Sequence, residues 1–517
     1  MRTDIIRTYK AVHTWTGITT GLLLFVAFYA GALTMFKQTL QRWSEPVSLA
    51  VAAPIGADQL IARTLALHPE FAKDFTLHLD GPARLSMKQS RRDTEPMLAI
   101  AGAEGDIVVR QDRSSGVDWL VDVVHRTAGL PVDLELGTAI TGLAAALYAL
   151  ALISGLIILL PSLVKDLFAL RLGKNVKRLW MDAHNLVGLV SLPFHLVMAF
   201  SAVVFGWHDL FYDALDQGVY QGRMAAIMRI SNPPPPFAGD KTPVRTLDVA
   251  AILARSAEIA PGLHPTAIEY RNFGTKAATL RVVGDDPRYL VRGHGFLSLG
   301  GTDGAVLNRE YLPGQQGTYS AVVSSFFALH FGEFGGDTVR WGYFFLGLSG
   351  AFLFYSGNLL WIESRRRPRR GQVEVPSQNR STRIMAGLSV GVCLGTVAGL
   401  SASIVAARWL QGQFLDVNGW SRAVFYLVLV LAVGHALRHG AAPSAPRLLW
   451  LAAGATMALP LTSLVLGRTA APGVDAVALG AGVVLALSAR KTARRVARGP
   501  IDSVWSAARL EKEGLQS

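Results

Sequence analysis

The sequence predicts a mainly α-helical membrane protein. Its parts are a duplicated four-helix bundle, four further transmembrane helices, and two small α+β domains outside the membrane. Eight apolar segments are each long enough to cross a bilayer, which takes about 20 residues. Of the 517 residues 51% are hydrophobic and 17% are charged, and the mean hydropathy is +0.33, values that favour a membrane protein. Finally, histidine motifs recur in register in two halves of the chain.

The eight apolar segments begin near Gly17, Leu136, His184, Trp341, Arg383, Ser421, Arg447 and Gly473. The first has a basic start and small residues near its end, as a cleaved signal peptide does. We expect it to be retained, because cleavage would remove His13 and with it one half of the histidine repeat.

Basic residues set the predicted orientation. They lie before the first segment, between the second and third, and after the fourth and eighth. Because such residues mark cytoplasmic loops, both termini are expected in the cytoplasm and the two long polar insertions on the other side of the membrane, which is the periplasm if the protein lies in a bacterial inner membrane. The net charge of +13 comes from tracts such as Arg365-Arg366-Arg367, which suit a membrane surface rather than nucleic acid.

These considerations predict ten regions. The bundle half of the chain comprises a first transmembrane helix (1–37), a first periplasmic domain (38–135), a second helix (136–162), a cytoplasmic loop (163–182), a third helix (183–207), a second periplasmic domain (208–325) and a fourth helix with its preceding histidine segment (326–363). A basic cytoplasmic loop (364–382), a four-helix extension (383–490) and a cytoplasmic tail (491–517) follow.

The two polar insertions resemble each other. Each begins with a short amphipathic helix, predicted over 58–67 and 247–259 and followed by Leu-His-Pro. Each then continues with alternating strand-like runs that include a Gly/Asp turn. Such turns between alternating segments are typical of antiparallel sheets. A helix on a small antiparallel sheet is therefore the predicted fold of each domain.

The repeated histidines indicate a cofactor. His13-x-x-x-Gly17 recurs as His184-x-x-x-Gly188, and Val124-His125 recurs as Leu329-His330. Histidine inside a membrane is costly and by default functional, and neutral imidazole is a good iron ligand. If the halves are related by a two-fold axis normal to the membrane, His13 faces His184 on the cytoplasmic side and His125 matches His330 on the other. Two haem sites follow.

His195 breaks the symmetry, because its counterpart in the first half is Leu24. It lies eleven residues after His184, which on one helix is a rise of roughly 16 Å on nearly the same face. It either replaces one ligand of the outer haem, with His125 or His330 as partner, or packs between the haems as a neutral residue. His435 and His439, four residues apart, are interpreted as an interface pair.

Other chemistries lack their motifs. The sequence has no phosphate loop and no glycine-rich dinucleotide fingerprint after a strand. It has no Cys-x-x-Cys-His for covalent haem, and its single cysteine, Cys393, rules out an internal disulfide. No serine or cysteine nucleophile stands beside a base, so a hydrolase is disfavoured.

Together these motifs resemble the PepSY-associated transmembrane family over roughly residues 1–370, the two insertions resembling PepSY modules. Ser154-Gly155, which belongs to one of the matching stretches, recurs as Ser356-Gly357 with Trp361 nearby. The matching stretches are His13-Thr14-Trp15-Thr16-Gly17, Asp122-Val123-Val124-His125-Arg126, Ser154-Gly155-Leu156-Ile157, Asp182-Ala183-His184-Asn185-Leu186-Val187-Gly188, Phe194-His195 and Leu329-His330-Phe331-Gly332.

The resemblance implies an inner-membrane oxidoreductase that reduces ferric siderophores. Two b-type haems would be held by His13 with His184, and by two of His125, His195 and His330. Arg126 and Arg340 are expected to pair with haem propionates, with an anionic chelate or with lipid headgroups. The electron donor would be a separate cytoplasmic reductase or a membrane quinol.

Two alternatives remain at this stage. One is a siderophore transporter whose histidines relay protons, and the other is a membrane-anchored protein whose PepSY-like domains bind or regulate a peptidase. The motifs do not identify the siderophore, the donor, the oligomeric state or the function of the last four helices.

Overall fold

A computed structural model describes residues 3–45, 55–87, 96–102, 105–111, 116–164, 176–231, 237, 239–286, 288–289, 295–365, 378–411, 413–414, 416–466, 471–499 and 503–506. The predicted loops 163–182 and 364–382 and the tail 491–517 lie partly outside these residues. The chain divides into two compact units. The first comprises Met1–Glu45, Ser115–His208 and Trp341–Ser517, and the second comprises Pro46–Ser114 and Asp209–Arg340.

The described residues form fifteen α-helices in chain order. The first eight are α1 (Thr3–Thr34), α2 (Lys37–Ser44), α3 (Ala57–Leu67), α4 (Val117–Arg126), α5 (Leu134–Leu159), α6 (Val176–Val190), α7 (Leu192–Gly218) and α8 (Met224–Ser231). The others are α9 (Val249–Ile259), α10 (Thr318–Phe331), α11 (Gly336–Ser364), α12 (Arg380–Leu410), α13 (Val417–His439), α14 (Ala441–Val465) and α15 (Pro472–Arg498).

Eight of these described helices are long and apolar enough to cross a membrane: α1, α5, α7 and α11 to α15. Each reaches the length of about 20 residues that the hydrocarbon core demands. The protein is therefore a multi-pass membrane protein, as its composition predicts.

Glycines bring the first four of these helices into contact. Gly142 of α5 meets Gly206 of α7 backbone to backbone, and a Cβ on Gly206 would lie 2.6 Å from the Gly142 Cα. On α11, Gly350 receives the Phe28 ring of α1. Small residues that let helices approach closely are a general feature of membrane bundles.

The third segment, predicted as one helix over 183–207, is divided. Helix α6 ends at Val190 and α7 begins at Leu192, with a turn at Ser191 between them. Pro193 explains the break, since proline lacks an N–H and is accommodated only in the first turn of a helix. His184 consequently lies on α6, ahead of the membrane-crossing helix, and His195 lies in the first turn of α7.

The extension is built around α12. A row of glycines at every fourth position faces α13: a Cβ on Gly391 would lie 2.7 Å from the Val433 Cα, and one on Gly399 would lie 3.1 Å from Phe425. The glycine spacing from Gly387 to Gly399 thus allows the close helix packing that is common in membrane bundles.

A buried polar cluster joins α2 to this extension. The Trp43 ring is fully buried, and its Nε1 donates to Ser463 Oγ at 3.1 Å and to Asp475 Oδ1 at 2.9 Å. Arg408 Nη1 donates to the same serine at 3.0 Å. Because unpaired polar groups are costly in a membrane, this network fixes α2 against α12, α14 and α15.

Within its described residues, the second unit contains one antiparallel sheet of eight strands. They are β1 (Asp74–His78), β2 (Arg84–Met87), β3 (Met97–Ala101), β4 (Ile107–Gln111), β5 (His264–Arg271), β6 (Thr279–Asp285), β7 (Gly295–Gly300) and β8 (Val306–Asn308), in the spatial order β4-β3-β2-β1-β5-β6-β7-β8.

Each polar insertion therefore supplies four consecutive strands, and β1 pairs with β5 where the two halves meet. Phe75 and Tyr270 face each other across this pair with their rings stacked 4.7 Å apart. Helices α3 and α9 contribute Leu60 and Ile252 to the same buried core. The two predicted helix-and-sheet modules are thus joined into a single sheet with a shared core.

Candidate cofactor site

His13 and His184 come together within the first unit. Their ring centroids lie 6.4 Å apart, and the ring planes are nearly perpendicular at 81°. His13 is on α1 and His184 on α6, so the pair joins the two halves of the repeat. The prediction that these two histidines face each other is confirmed.

The separation is too long for a direct hydrogen bond between the rings and leaves room for a shared metal. Metal–nitrogen bonds of about 2 Å, with about 1.1 Å from nitrogen to each ring centroid, put the centroids of two imidazoles on one metal roughly 6 Å apart. A direct N–H···N bond of about 3 Å would bring them to roughly 5 Å. The observed 6.4 Å matches the first arrangement.

Hydrogen bonds fix which nitrogen of each ring remains basic. His13 Nδ1 lies 2.8 Å from the Ala151 carbonyl, which only accepts. His184 Nδ1 lies 2.8 Å from Ser356 Oγ, whose own proton is donated to the Leu353 carbonyl at 3.1 Å. The network therefore assigns the proton to Nδ1 in both rings. Neither Nε2 has a hydrogen bond among the described residues, so each presents a lone pair.

Glycines form a seat for each ring. A Cβ on Gly155 would lie 3.0 Å from His13 Cε1, and one on Gly357 would lie 3.6 Å from His184 Cε1. These are the glycines of the repeated Ser-Gly dipeptides, on α5 and α11. The echo between the two dipeptides thus has a physical cause, because each provides the flat helix surface on which a histidine lies.

His125 is held in the same manner on α1. Its Nδ1 lies 2.8 Å from the Ala27 carbonyl, and a Cβ on Gly31 would lie only 2.8 Å from that nitrogen. Burial lowers the pKa of His125, which favours the neutral imidazole that iron requires. His125 therefore has the same anchored Nδ1 as the first two histidines.

His195 is fully buried among aromatic rings. The neighbouring centroids are those of Phe194 at 5.3 Å, Phe28 at 5.6 Å and Tyr148 at 6.0 Å. Neither ring nitrogen has a hydrogen-bond partner among the described residues, and the same holds for Tyr148 Oη. A buried unsatisfied polar group costs about 1–3 kcal/mol. The site is therefore suited to bind a group that contacts the His195 imidazole.

The remaining predicted residues are distributed over both units. Arg126 follows His125 on α4, and its Nη1 is 3.7 Å from Asp122. His330, on α10, and Arg340, whose Nη1 is 3.5 Å from Asp337, belong to the second unit. The pairing of His330 with His125 or His195, and the contact of either arginine with a propionate, remain predictions.

The donor set fits haem better than a bare metal ion. Within the described part of the chain, no three His, Cys, Asp or Glu side chains converge as a metal ion site, whereas tetrahedral metal sites use three or four protein ligands. A haem iron needs only two axial ligands from the protein. Two opposed imidazoles with anchored Nδ1 atoms meet that need.

Sequence reasoning identified the histidines but not their supports. The sequence shows Ser356-Gly357 as a repeat of Ser154-Gly155 but gives it no function, and Gly31 is only one of the small residues near the end of the first apolar segment. No local sequence pattern predicts the contact of Gly31 with His125, because these residues lie on different helices, α1 and α4. Metal-bound histidines generally donate their other N–H to such a partner.

Comparison with known proteins identifies the family. A family model described as the PepSY-associated TM region matches residues 11–364, which include His13, His125, His184, His195 and His330. The chain is also similar to an uncharacterized protein of Pseudomonas aeruginosa, with 25% identity over 357 residues that cover 64% of this chain and 85% of the relative. The extension beyond residue 364 lies outside the family match.

Proposed function

Because the chain belongs to the PepSY-associated TM family, we propose that it is a transmembrane b-type haem protein that passes electrons to a ferric siderophore in the periplasm. The observation that carries the proposal is the His13–His184 pair, with centroids 6.4 Å apart and both Nδ1 atoms anchored.

His13 and His184 would hold the first haem through Nε2, on the cytoplasmic side. Haem iron supplies a site that gains and loses one electron without any proton transfer or bond cleavage in the protein. The Ala151 carbonyl and Ser356 hydroxyl keep the rings oriented and increase the basicity of Nε2. Two imidazole ligands would suit an iron that transfers electrons and does not bind oxygen.

His125 would hold a second haem, with His195 or His330 as the other ligand. The unsatisfied nitrogens of His195 support a direct interaction of this residue with that group. Arg126, beside His125, is placed on α4 where it would pair with a propionate. The protein's task is to fix these ligands, exclude water from them and dock the acceptor.

The acceptor, and therefore the substrate, would be a ferric chelate. Hard oxygen ligands hold Fe(III) far more tightly than Fe(II), so one electron releases the metal and leaves the chelator intact. The donor is expected to be a separate reductase or a membrane quinol, since the sequence contains no dinucleotide fingerprint.

The test uses purified protein in liposomes, with a reductant enclosed and a ferric hydroxamate chelate outside. Release of Fe(II) is followed with a ferrous-specific dye, and haem content is measured on the same sample. We expect about two haems per chain and a rate of Fe(II) release that falls at least ten-fold in His13→Ala and His184→Ala. His208→Ala, an exposed histidine on α7, is the matched control.

Three outcomes would contradict the proposal. Colourless protein that binds the chelate would favour the transporter. Fe(II) release that survives both histidine substitutions would rule out electron transfer through this pair. Peptidase binding or regulation that persists after every membrane histidine is replaced would favour the peptidase-binding alternative.

A further inference from the structure

Helix α4, which carries His125, has an apolar side that the extension covers. Val117, Leu120, Val121 and Val124 are all at most 2% exposed. Val117 and Val121 share a core with Ile404, Ala407 and Val417. Leu120 and Val124 share another with Leu400 and Phe425, which also includes residues of α1. Helix α4 is therefore in contact with α1, α12 and α13.

Both ends of α4 are also held by α13. At its start, Gly116 has a φ of +52°, and the Asn418 side chain occupies the space that a Cβ would take. After its end, Gly129 has a φ of +71°, and a Cβ there would lie 3.6 Å from Phe425 Cζ. Glycine alone adopts these left-handed conformations without strain. The space beside Gly116 is filled by Asn418 of α13, and the space beside Gly129 is filled by Val26 of α1 at 3.0 Å together with Phe425 of α13.

A hydrogen bond completes the attachment. Tyr426 Oη donates to the Leu130 carbonyl at 3.0 Å, four residues beyond the end of α4. Phe425, next to it, is fully buried. Two consecutive residues of α13 thus fix the segment that follows His125, one by packing and one by a directed bond.

The corresponding helix of the other half is built differently. Helix α10, which carries His330, has Ser324 and Ala328 as its buried residues. Helix α4 instead buries four aliphatic side chains. The two histidine helices therefore differ in how much of their apolar surface is buried, and the buried surface of α4 is the one that contacts the extension.

From these contacts we propose that the four-helix extension, through Phe425 and Tyr426 of α13, is the positioning element for His125 and hence for the second haem. The effect on the second haem rests on the proposed function, whereas the positioning of α4 by α13 does not. The extension fixes α4 so that His125 Nδ1 stays 2.8 Å from the Ala27 carbonyl, which determines where its Nε2 points.

The experiment compares three variants of the full-length protein. Phe425→Ala removes packing on Gly129, and Tyr426→Phe removes only the bond to Leu130. Leu427→Ala is the matched control, because that side chain is on the same helix but 60% exposed. For each we measure haem per chain, the EPR signals and midpoint potentials of the two haems, and hydrogen exchange of the peptide 117–126.

In Phe425→Ala we expect exchange in 117–126 to accelerate at least ten-fold and the second haem to be retained at least ten-fold less tightly, the effect typical of altering a ligand's support. In Tyr426→Phe we expect a shifted midpoint potential for the same haem. The haem of His13 and His184 should be unchanged in both, and Leu427→Ala should match the parent.

Unchanged exchange and both haems intact in Phe425→Ala would overturn the inference, as would equal loss of both haems. If Phe425→Ala does not fold, Tyr426→Phe decides: a potential shift confined to one haem supports positioning, and no shift refutes it. A parent protein without haem would refute the proposed function, while the exchange of 117–126 would still report separately on whether α13 holds α4.

Discussion

Replacing Gly31 by alanine should displace His125 and remove the second haem. A Cβ at this position would lie 2.8 Å from Nδ1 and 2.9 Å from Cε1 of the imidazole, whereas non-bonded atoms of this size prefer about 3.5–4.0 Å. The ring cannot move away freely, because Nδ1 is bonded to the Ala27 carbonyl at 2.8 Å. The substitution therefore forces a choice between overlap and loss of that bond.

The magnitude follows from two contributions. Overpacking a tight site costs about 1–3 kcal/mol, and a lost hydrogen bond costs about 0.5–1.5 kcal/mol. Because the overlap and the lost bond are alternatives, they disfavour the ligating position of His125 by about 1–3 kcal/mol, which at about 1.4 kcal/mol per decade is roughly a 5- to 140-fold loss of affinity. The second haem would then be largely lost during purification.

The assay is haem stoichiometry with the reduced-minus-oxidised spectrum, for a series of glycine-to-alanine variants. Gly17→Ala is the control on the same helix, because nothing lies within 4 Å of a Cβ there. Gly155→Ala, at 3.0 Å from the His13 ring, should weaken the first haem moderately, and Gly357→Ala, at 3.6 Å from the His184 ring, should be tolerated. If Gly31→Ala keeps as much haem as Gly17→Ala, the reasoning from the glycine seats is refuted.

Three further predictions concern other contacts. Ser356→Ala removes the acceptor of His184 Nδ1 and should lower the affinity for the first haem by 10- to 100-fold. Ser356→Thr should restore that affinity in the same titration. Equal affinity in all three proteins would contradict the assigned hydrogen bond. Gly206→Ala, whose Cβ would meet backbone at 2.6 Å, should lower thermal stability by about 1–3 kcal/mol, and an unchanged melting temperature would contradict the close helix contact. The Arg288 guanidinium lowers the pKa of Asp286, so the stability from this pair is complete above the ordinary aspartate pKa of about 3.9 and is lost as the pH falls below it. Asp286→Asn should therefore reduce the free energy of unfolding at neutral pH and flatten its decline in acid. Parallel pH–stability curves for the parent and the variant would show that the pair contributes nothing.

The membrane helices were predictable because each property that defines them is local. Length, hydropathy and the absence of charge can be read within a single window, and the eight predicted segments correspond to eight apolar helices of the described chain. The exception is instructive. The break at Ser191 depends on Pro193, which hydropathy does not register, although proline in an apolar run predicts such a boundary.

The joining of the two small domains was not predictable in the same way. Each insertion carries the signals of its own strands, and these agree with β1 to β4 and β5 to β8. The pairing of β1 with β5 joins residues 189 to 197 positions apart, and either strand could have remained an edge. Register between distant strands follows from the burial of Phe75 and Tyr270 together, which no local pattern specifies.

For the candidate site, the repeat identified the histidines, and the structure shows which groups orient them. His13 and His184 were paired correctly because duplication makes symmetry a constraint on distance. The supports were missed because two of them are backbone carbonyls, of Ala27 and Ala151, whose location depends on helix packing and not on residue type. The packing of α4 against α13 was missed for a related reason, since nothing in the extension resembles the first half of the chain.

The most direct test of the central claim is the low-temperature EPR spectrum of the oxidised protein, compared with those of His13→Ala and His184→Ala. If these two imidazoles share one haem iron, the parent shows low-spin ferric haem, and both variants lose the same one of its signals and keep the other. Colourless parent protein, or variants that lose different signals or none, would contradict the claim that this pair holds a haem.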